Sequence, residues 1–169
     1  GQRCDTILDR ACLTAIRRAG RGSRSLLIDG FSELKVAVSN IKIAVRAQRT
    51  GKSRAFLEES LAPCDTLDLA ELTEAALKSE EAVCGYLSRT AYADGVEPLK
   101  AGASAFEKWS DDRQTALVKS VGRQDYFTVA PLIGYVIARQ NEIAAVRIIL
   151  SGKQNGLSDE RIRARLREM

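Results

Sequence analysis

The 169 residues contain no histidine. That removes imidazole as a general acid or base, and as a metal ligand, in one step. The four cysteines, Cys4, Cys12, Cys64 and Cys84, form no CxxC pair. This argues against a zinc ribbon or a thioredoxin-type redox pair and for buried free thiols in a reducing cytosol. Aromatics are scarce at 5% and prolines number three, so the core must be aliphatic and Ala-rich, which suits helix-on-helix packing better than a β-sandwich. No apolar run reaches the ~18–20 residues a membrane span needs, and no signal-peptide pattern is seen. Charge of one sign is also lacking: 26 basic and 22 acidic residues leave a net +4. Without an aromatic-and-Arg platform that balance does not point to nucleic acid.

What is present is helical periodicity and an internal echo. Asn40-Ile-Lys-Ile-Ala-Val-Arg46-Ala-Gln-Arg-Thr-Gly51-Lys52 returns 101 residues later as Asn141-Glu142-Ile-Ala-Ala-Val-Arg147-Ile-Ile-Leu-Ser-Gly152-Lys153, with six of thirteen positions identical. The spacing predicts helices over 5–19, 24–49, 53–61, 69–77, 80–92, 96–121, 130–151 and 159–167, with Ser53, Asp68 and Ser79 as N-caps. Residues 122–128 read as a loop, and Gly30 as a place for a bend or close packing. In the first helix the stripe is Ile7, Leu8, Ala11, Cys12, Ala15 and Ile16. In the second, Leu27, Phe31, Leu34, Val38, Ile41 and Val45 form one stripe and Val36, Ile43 and Ala47 another, which marks a central helix. Over 130–151 the stripe is Leu132, Val136, Ile143, Val146 and Leu150, flanked by Ile133, Ile137, Ala144 and Ile148. The fold class is therefore all-α, with two similar multi-helix units, 1–95 and 96–169. Gly51 and Gly152 are expected as left-handed residues that end the two long helices.

No motif points to a reaction. Gly51-Lys52-Ser53 lacks the first glycine of a phosphate loop, since Arg46 stands there, and the second copy has Arg147 there and Gln154 after the lysine. The pairs Glu58/Glu59, Glu80/Glu81 and Asp111/Asp112 are adjacent, so their side chains diverge by about 100° on a helix and read as solvated charges. No catalytic, cofactor or metal residue is assigned. Asn40 with Arg46 and Asn141 with Arg147 are expected to be structural, the arginines partly buried on carboxylates or helix-end carbonyls; solvated arginines at helix ends are the alternative. Arg161, Arg163, Arg165 and Arg167 splay from a final helix that turns Ile162 and Leu166 inward, either as a solvated face or as a contact for an acidic partner.

Asn40-Ile-Lys-Ile-Ala-Val-Arg46 with Gly51 resembles a helix end of the C subunit of V-type (archaeal-type) ATP synthases, whose eukaryotic counterpart is the d subunit. Pro131-Leu-Ile-Gly134-Tyr135 through Glu142, Arg147 and Gly152-Lys153 is similar to that family's closing signature, and so is the tail Gly156-Leu-Ser-Asp-Glu-Arg-Ile162. The resemblance covers most of the chain, most loosely over 86–120. It implies a funnel-shaped helical fold of three similar units. With two units here, the chain is expected to be a fragment or a shortened member lacking the first, trimmed at both ends. It also implies a non-catalytic coupling subunit without cofactors, peripheral to the membrane on its cytoplasmic side. Its partners there would be the central-stalk subunits and the proteolipid ring, and nucleic acid would not be among them. Helix ends would make those contacts, with Lys52, Lys153, Arg161 and Arg165 the candidates. The rival readings are a helical adaptor or nucleic-acid-binding module, which needs an exposed apolar or basic groove, and an enzyme, which needs a pocket with perturbed acids.

Overall fold

The computed structural model describes residues 2–122 and 129–166, with the side chains of Gln2, Arg3, Gly122 and Ala130 left aside. Among the described residues there is no strand. The loop expected over 122–128 and the position of Arg167 lie outside the described residues, except that Gly122 ends a helix. The chain divides into two compact units, Gly1–Val96 and Glu97–Met169.

The first unit is built on α2 (Leu26–Arg49). It buries residues all around its axis, among them Leu27, Val36, Ala37, Ile41 and Ala44 at 0% exposure, as its two apolar strips require. Ser25 caps it, accepting from Ile28 N, and the helix runs unbroken through Gly30. Before it, α1 (Gln2–Gly22) turns back over three residues. The two helices touch at Gly20, where a Cβ would sit 1.8 Å from Ser32 Oγ, so only glycine admits this approach. The stripe expected on α1 is not its inner face: Ile7 (54%) and Leu8 (62%) are exposed, as are Ala11, Cys12 and Ala15. Of that stripe only Ile16 is half-buried; the inner face also carries Thr6, Leu13, Arg17 and Gly20, so a buried arginine stands where periodicity seeks an apolar residue.

The short helices α3 (Arg54–Ser60), α4 (Leu69–Lys78) and α5 (Glu80–Leu87) start where expected. Ser53, Asp68 and Ser79 accept from the backbone N–H groups of Phe56, of Ala70 and Glu71, and of Ala82. The last stops at Leu87, short of 92, and a 3-10 turn over Ala93–Gly95 follows, with Tyr92 buried beside it.

In the second unit the single helix expected over 96–121 is two, α6 (Val96–Ala101) and α7 (Ala103–Gly122). Gly102 separates them with φ +119, a conformation closed to other residues. On α7, Phe106 is buried and stacks on Trp109 with ring centroids 5.0 Å apart. The long helix is α8 (Ala130–Gln154), followed by α9 (Asp159–Arg163). Here the expected stripe is overturned. Leu132, Val136, Ile143, Val146 and Leu150 are all about half exposed or more, while Ile137 is buried and Ile133, Ala144 and Ile148 are half-buried. The flanking strip is the inner one because it also contains Gly134, Asn141 and Gly152, small or polar residues that let α7 and α9 come close.

Candidate functional site

Buried polar groups of α1 and α2 hold the segment between α3 and α4. Asn40 is fully buried. Its Nδ2 donates to Ala62 O (2.8 Å) and its Oδ1 accepts from Ala62 N (3.0 Å), so one side chain satisfies both halves of a buried backbone residue. Two turns earlier, Glu33 Oε1 accepts from Asp65 N (2.7 Å), Thr66 N (2.8 Å) and Thr66 Oγ1 (2.7 Å). Since the Thr66 hydroxyl proton goes to Glu33, the 2.6 Å bond between Thr66 and Tyr92 is donated by the tyrosine.

The other Glu33 oxygen lies 2.5 Å from Arg17 Nε, and the Arg17 guanidinium also meets Asp29 and Asp65 at 2.5 Å each and Ser32 Oγ at 3.1 Å. Burial works against the charge of Arg17, but the bonds to Asp29 and Asp65 and the charges of Glu33 and Asp29 outweigh it and raise its pKa. Asp65, bonded by Arg17 and then by Arg21, is held below the ordinary carboxylate value despite some desolvation. Burial, followed by the Glu33 charge, pushes the Cys64 thiol up, so it is a poor nucleophile. Of the four thiols expected to be buried, only Cys84 is; Cys64 is half-buried and Cys4 and Cys12 are exposed on α1.

The two long helices end alike. After α2, Gly51 takes φ +61, Gly51 N donates to Gln48 O, and Lys52 N donates to Ala47 O at 2.9 Å. After α8, Gly156 takes φ +66, Gly156 N donates to Lys153 O, and Leu157 N donates to Gly152 O at 2.9 Å. Both are Schellman caps. Each leads to a Ser N-cap, Ser53 or Ser158, and to a short helix that buries Leu57 or Ile162. These paired residues lie 105 positions apart, four more than in the sequence echo, which is about one helical turn. Gly152 is thus not the left-handed terminator expected of it. It lies within α8, buried, where a Cβ would meet Ile162 Cγ1 at 2.6 Å; the terminator is Gly156.

Each long-helix end and its short helix frame a cleft. The first, about 290 Å³, has Ile43, Ala47 and Phe56 as apolar lining, Arg46 and Lys52 as cations, and Asp5 and Asp9 of α1 as acids. Lys52 Nζ lies 5.6 Å from the centre of the Phe56 ring, a cation–π contact. The second, about 400 Å³, is lined by Arg147, Ile148, Ser151, Gly152, Asn155, Leu157, Ile162 and Arg165. Six of its positions match lining positions of the first at the 105-residue offset, among them Ile43 with Ile148 and Ser60 with Arg165.

The candidate residues divide: Asn40, Asn141 and Glu142 lie within α2 and α8, and the candidate cations lie at or beside helix ends. Arg46 and Arg147, expected to be partly buried on carboxylates or helix-end carbonyls, are both exposed, and each lines its cleft. Asn141 is half-buried and donates to Thr115 Oγ1 (2.9 Å) across α7 and α8, while Glu142 is exposed and pairs with Arg139. Lys153 is paired with Asp159 at 2.5 Å, and Arg161 and Arg165 are exposed. Arg17 and Glu33 were missed by sequence reasoning. The available signal was Asp29 and Glu33 four apart on α2, opposite a base on the helix before a three-residue turn.

Residues 1–165 match the family model described as ATP synthase (C/AC39) subunit. The chain is 26% identical over 142 residues to the C subunit of the A-type ATP synthase of Desulfurococcus sp. (strain SY), covering 82% of this chain and 38% of that protein. It is 27% identical over 173 residues to the C subunit of the A-type ATP synthase of Methanocaldococcus jannaschii, covering 94% of this chain and 42% of that protein. The chain thus spans about two fifths of the length of these curated relatives. No solved structure matches it.

Proposed function

Because the chain belongs to the ATP synthase (C/AC39) subunit family, we propose that it is a non-catalytic coupling part of a rotary ATPase, joining the central stalk to the membrane proteolipid ring. The observation that carries this reading is the family match over residues 1–165. The relatives are named as ATP synthase subunits, and the all-helical fold agrees with that membership. A part that transmits torque needs stiffness and contact surfaces. The α2 network supports the first, since Asn40, Glu33 and Arg17 bond one segment at several points. The two helix-end clefts support the second. In this reading one helical unit is used twice, divided near residue 95, and Lys52, Lys153, Arg161 and Arg165 contact neighbours. Among the described residues no helix is long and apolar enough to cross a membrane, which fits a peripheral position.

The test is a pull-down of the chain with purified central-stalk subunits and with the detergent-solubilised ring. Retention by both supports the coupling role. Retention by neither, together with saturable ATP binding by the chain alone, would overturn it.

A further inference from the structure

The second cleft differs from the first in one respect that bears on what enters it. The α2–α3 cleft carries its own acids, Asp5 and Asp9, opposite Arg46 and Lys52. The α8–α9 cleft has two cations, Arg147 and Arg165, and no acid among the described residues that line it. Of the two acids of α9, Asp159 is engaged by Lys153 at 2.5 Å, and neither it nor Glu160 lines the cleft. Both arginines are exposed and neither makes an ion pair with a described residue. Ile148 and Leu157, both half-buried, and the buried Ile162 supply the apolar lining of the cleft, and Asn155 is exposed. Asn155, whose Nδ2 donates to Ser151 O (2.7 Å), is neutral, so the positive charge comes from the two guanidinium groups.

We propose that this cleft docks an acidic segment of a neighbouring protein, an apolar side chain seated on the half-buried Ile148 and Leu157 with carboxylates taken by Arg147 and Arg165. A guanidinium holds a carboxylate through two parallel N–H donors, and a cleft that excludes water strengthens the pair. The apolar floor selects a peptide over a bare anion, because inorganic phosphate would leave it uncovered. The contrast with the first cleft supports this: its acids, Asp5 and Asp9, come from α1, outside the matched positions, and no described acid lines the second. The site rests on the reading of the chain as one part of a multisubunit assembly.

The test uses the whole chain and a fluorescein-labelled amphipathic peptide bearing Leu and Glu on one helical face. Its controls replace every Glu by Lys, or every Leu by Ser. Arg147→Glu and Arg165→Glu are each expected to weaken the Leu/Glu peptide about tenfold or more, with unchanged circular-dichroism melting curves. Arg147→Lys should retain part of the binding, and Arg46→Glu, in the other cleft, all of it. Equal binding of the Glu and Lys peptides overturns the proposal. So does loss of binding in Arg46→Glu alone. Inorganic phosphate or phosphatidylserine vesicles that compete fully would do the same, since they would show a generic anion site. Assembly with stalk and ring subunits without any acidic-peptide binding removes the cleft but not the coupling role. Arginine-dependent peptide binding without such assembly supports the cleft and counts against that role.

Discussion

Asn40 and Arg46 stand six residues apart on α2 and recur together in the sequence echo, yet the structure separates them completely. Asn40 closes both hydrogen bonds of the buried Ala62 backbone, whereas Arg46 is exposed. Asn40→Ala leaves a buried donor and acceptor without partners and is expected to cost about 2 kcal/mol or more. Arg46→Ala should stay within about 0.5 kcal/mol, as surface substitutions do. Urea denaturation of both variants checks the contrast, and equal losses would place Arg46 in the network. A pH dependence follows from Asp65. Its folded pKa is depressed below the ordinary 3.8 by Arg17 and Arg21. Its stabilisation is therefore present above that value and is lost as pH falls through the depressed one. Glu80, bonded by Arg49, adds in the same direction below its ordinary 4.5. The urea midpoint should fall between about pH 6 and pH 3. Asp65→Asn should lower it at neutral pH and flatten the fall, by an amount limited by the solvent that reaches this half-exposed side chain. A fall of unchanged steepness in Asp65→Asn would assign the acid sensitivity elsewhere.

At the scale of elements, the most legible signals were local ones. Ser53, Asp68, Ser79 and Ser158 cap helices as their sequence context indicates, because a cap needs only one side chain and the next turn of backbone. Faces were harder to read. On α8, apolar residues occur on several sides, so periodicity alone could not choose between the strip of Leu132 and Leu150 and that of Ile137 and Ile148. The deciding residues were Gly134, Asn141 and Gly152, which read as interruptions and serve as contact points. Gly102 was invisible for a related reason: only its φ of +119 shows that it divides a helical pattern in two. The paired helix ends give a direct test. Gly51→Ala and Gly156→Ala both force a left-handed alanine and are each expected to cost roughly 1–2 kcal/mol by strain. Gly152→Ala acts differently, through a 2.6 Å approach to Ile162 Cγ1, and is expected to cost about 1–3 kcal/mol by overpacking. Removing the obstructing atoms with Ile162→Ala should make the Gly152→Ala/Ile162→Ala pair less harmful than the sum of the two. Additive losses in that cycle, read by thermal denaturation, would mean that α9 does not dock on Gly152.

Across the molecule, burial is distributed unevenly. Among the described residues, the buried apolar side chains of the second unit are Leu99, Phe106, Ile137 and Ile162, while the first unit buries α2 on nearly every side. On α8 the side chains from Leu132 to Leu150, including Tyr135, Val136, Ile143 and Val146, form a run of exposed apolar surface. At 1.5 Å per residue that run extends for about 27 Å along the helix. Regions with few buried contacts open at lower free energy than the core they adjoin. Hydrogen exchange of the chain alone should therefore protect α2 most, and α8 amides should exchange at least about tenfold faster. An environment-sensitive dye such as anilinonaphthalene sulfonate should bind the folded chain, as it does other contiguous apolar surface. If stalk and ring subunits are the neighbours, adding them should slow exchange along α8 and displace the dye. In the first unit any added protection should fall at the α2–α3 end that carries Lys52, because α2 itself has little exposed surface left to protect. Equal protection of α2 and α8 in the chain alone, with no dye bound, would show that the α8 face is already covered in solution, and the coupling role would then have to rest on the helix ends alone.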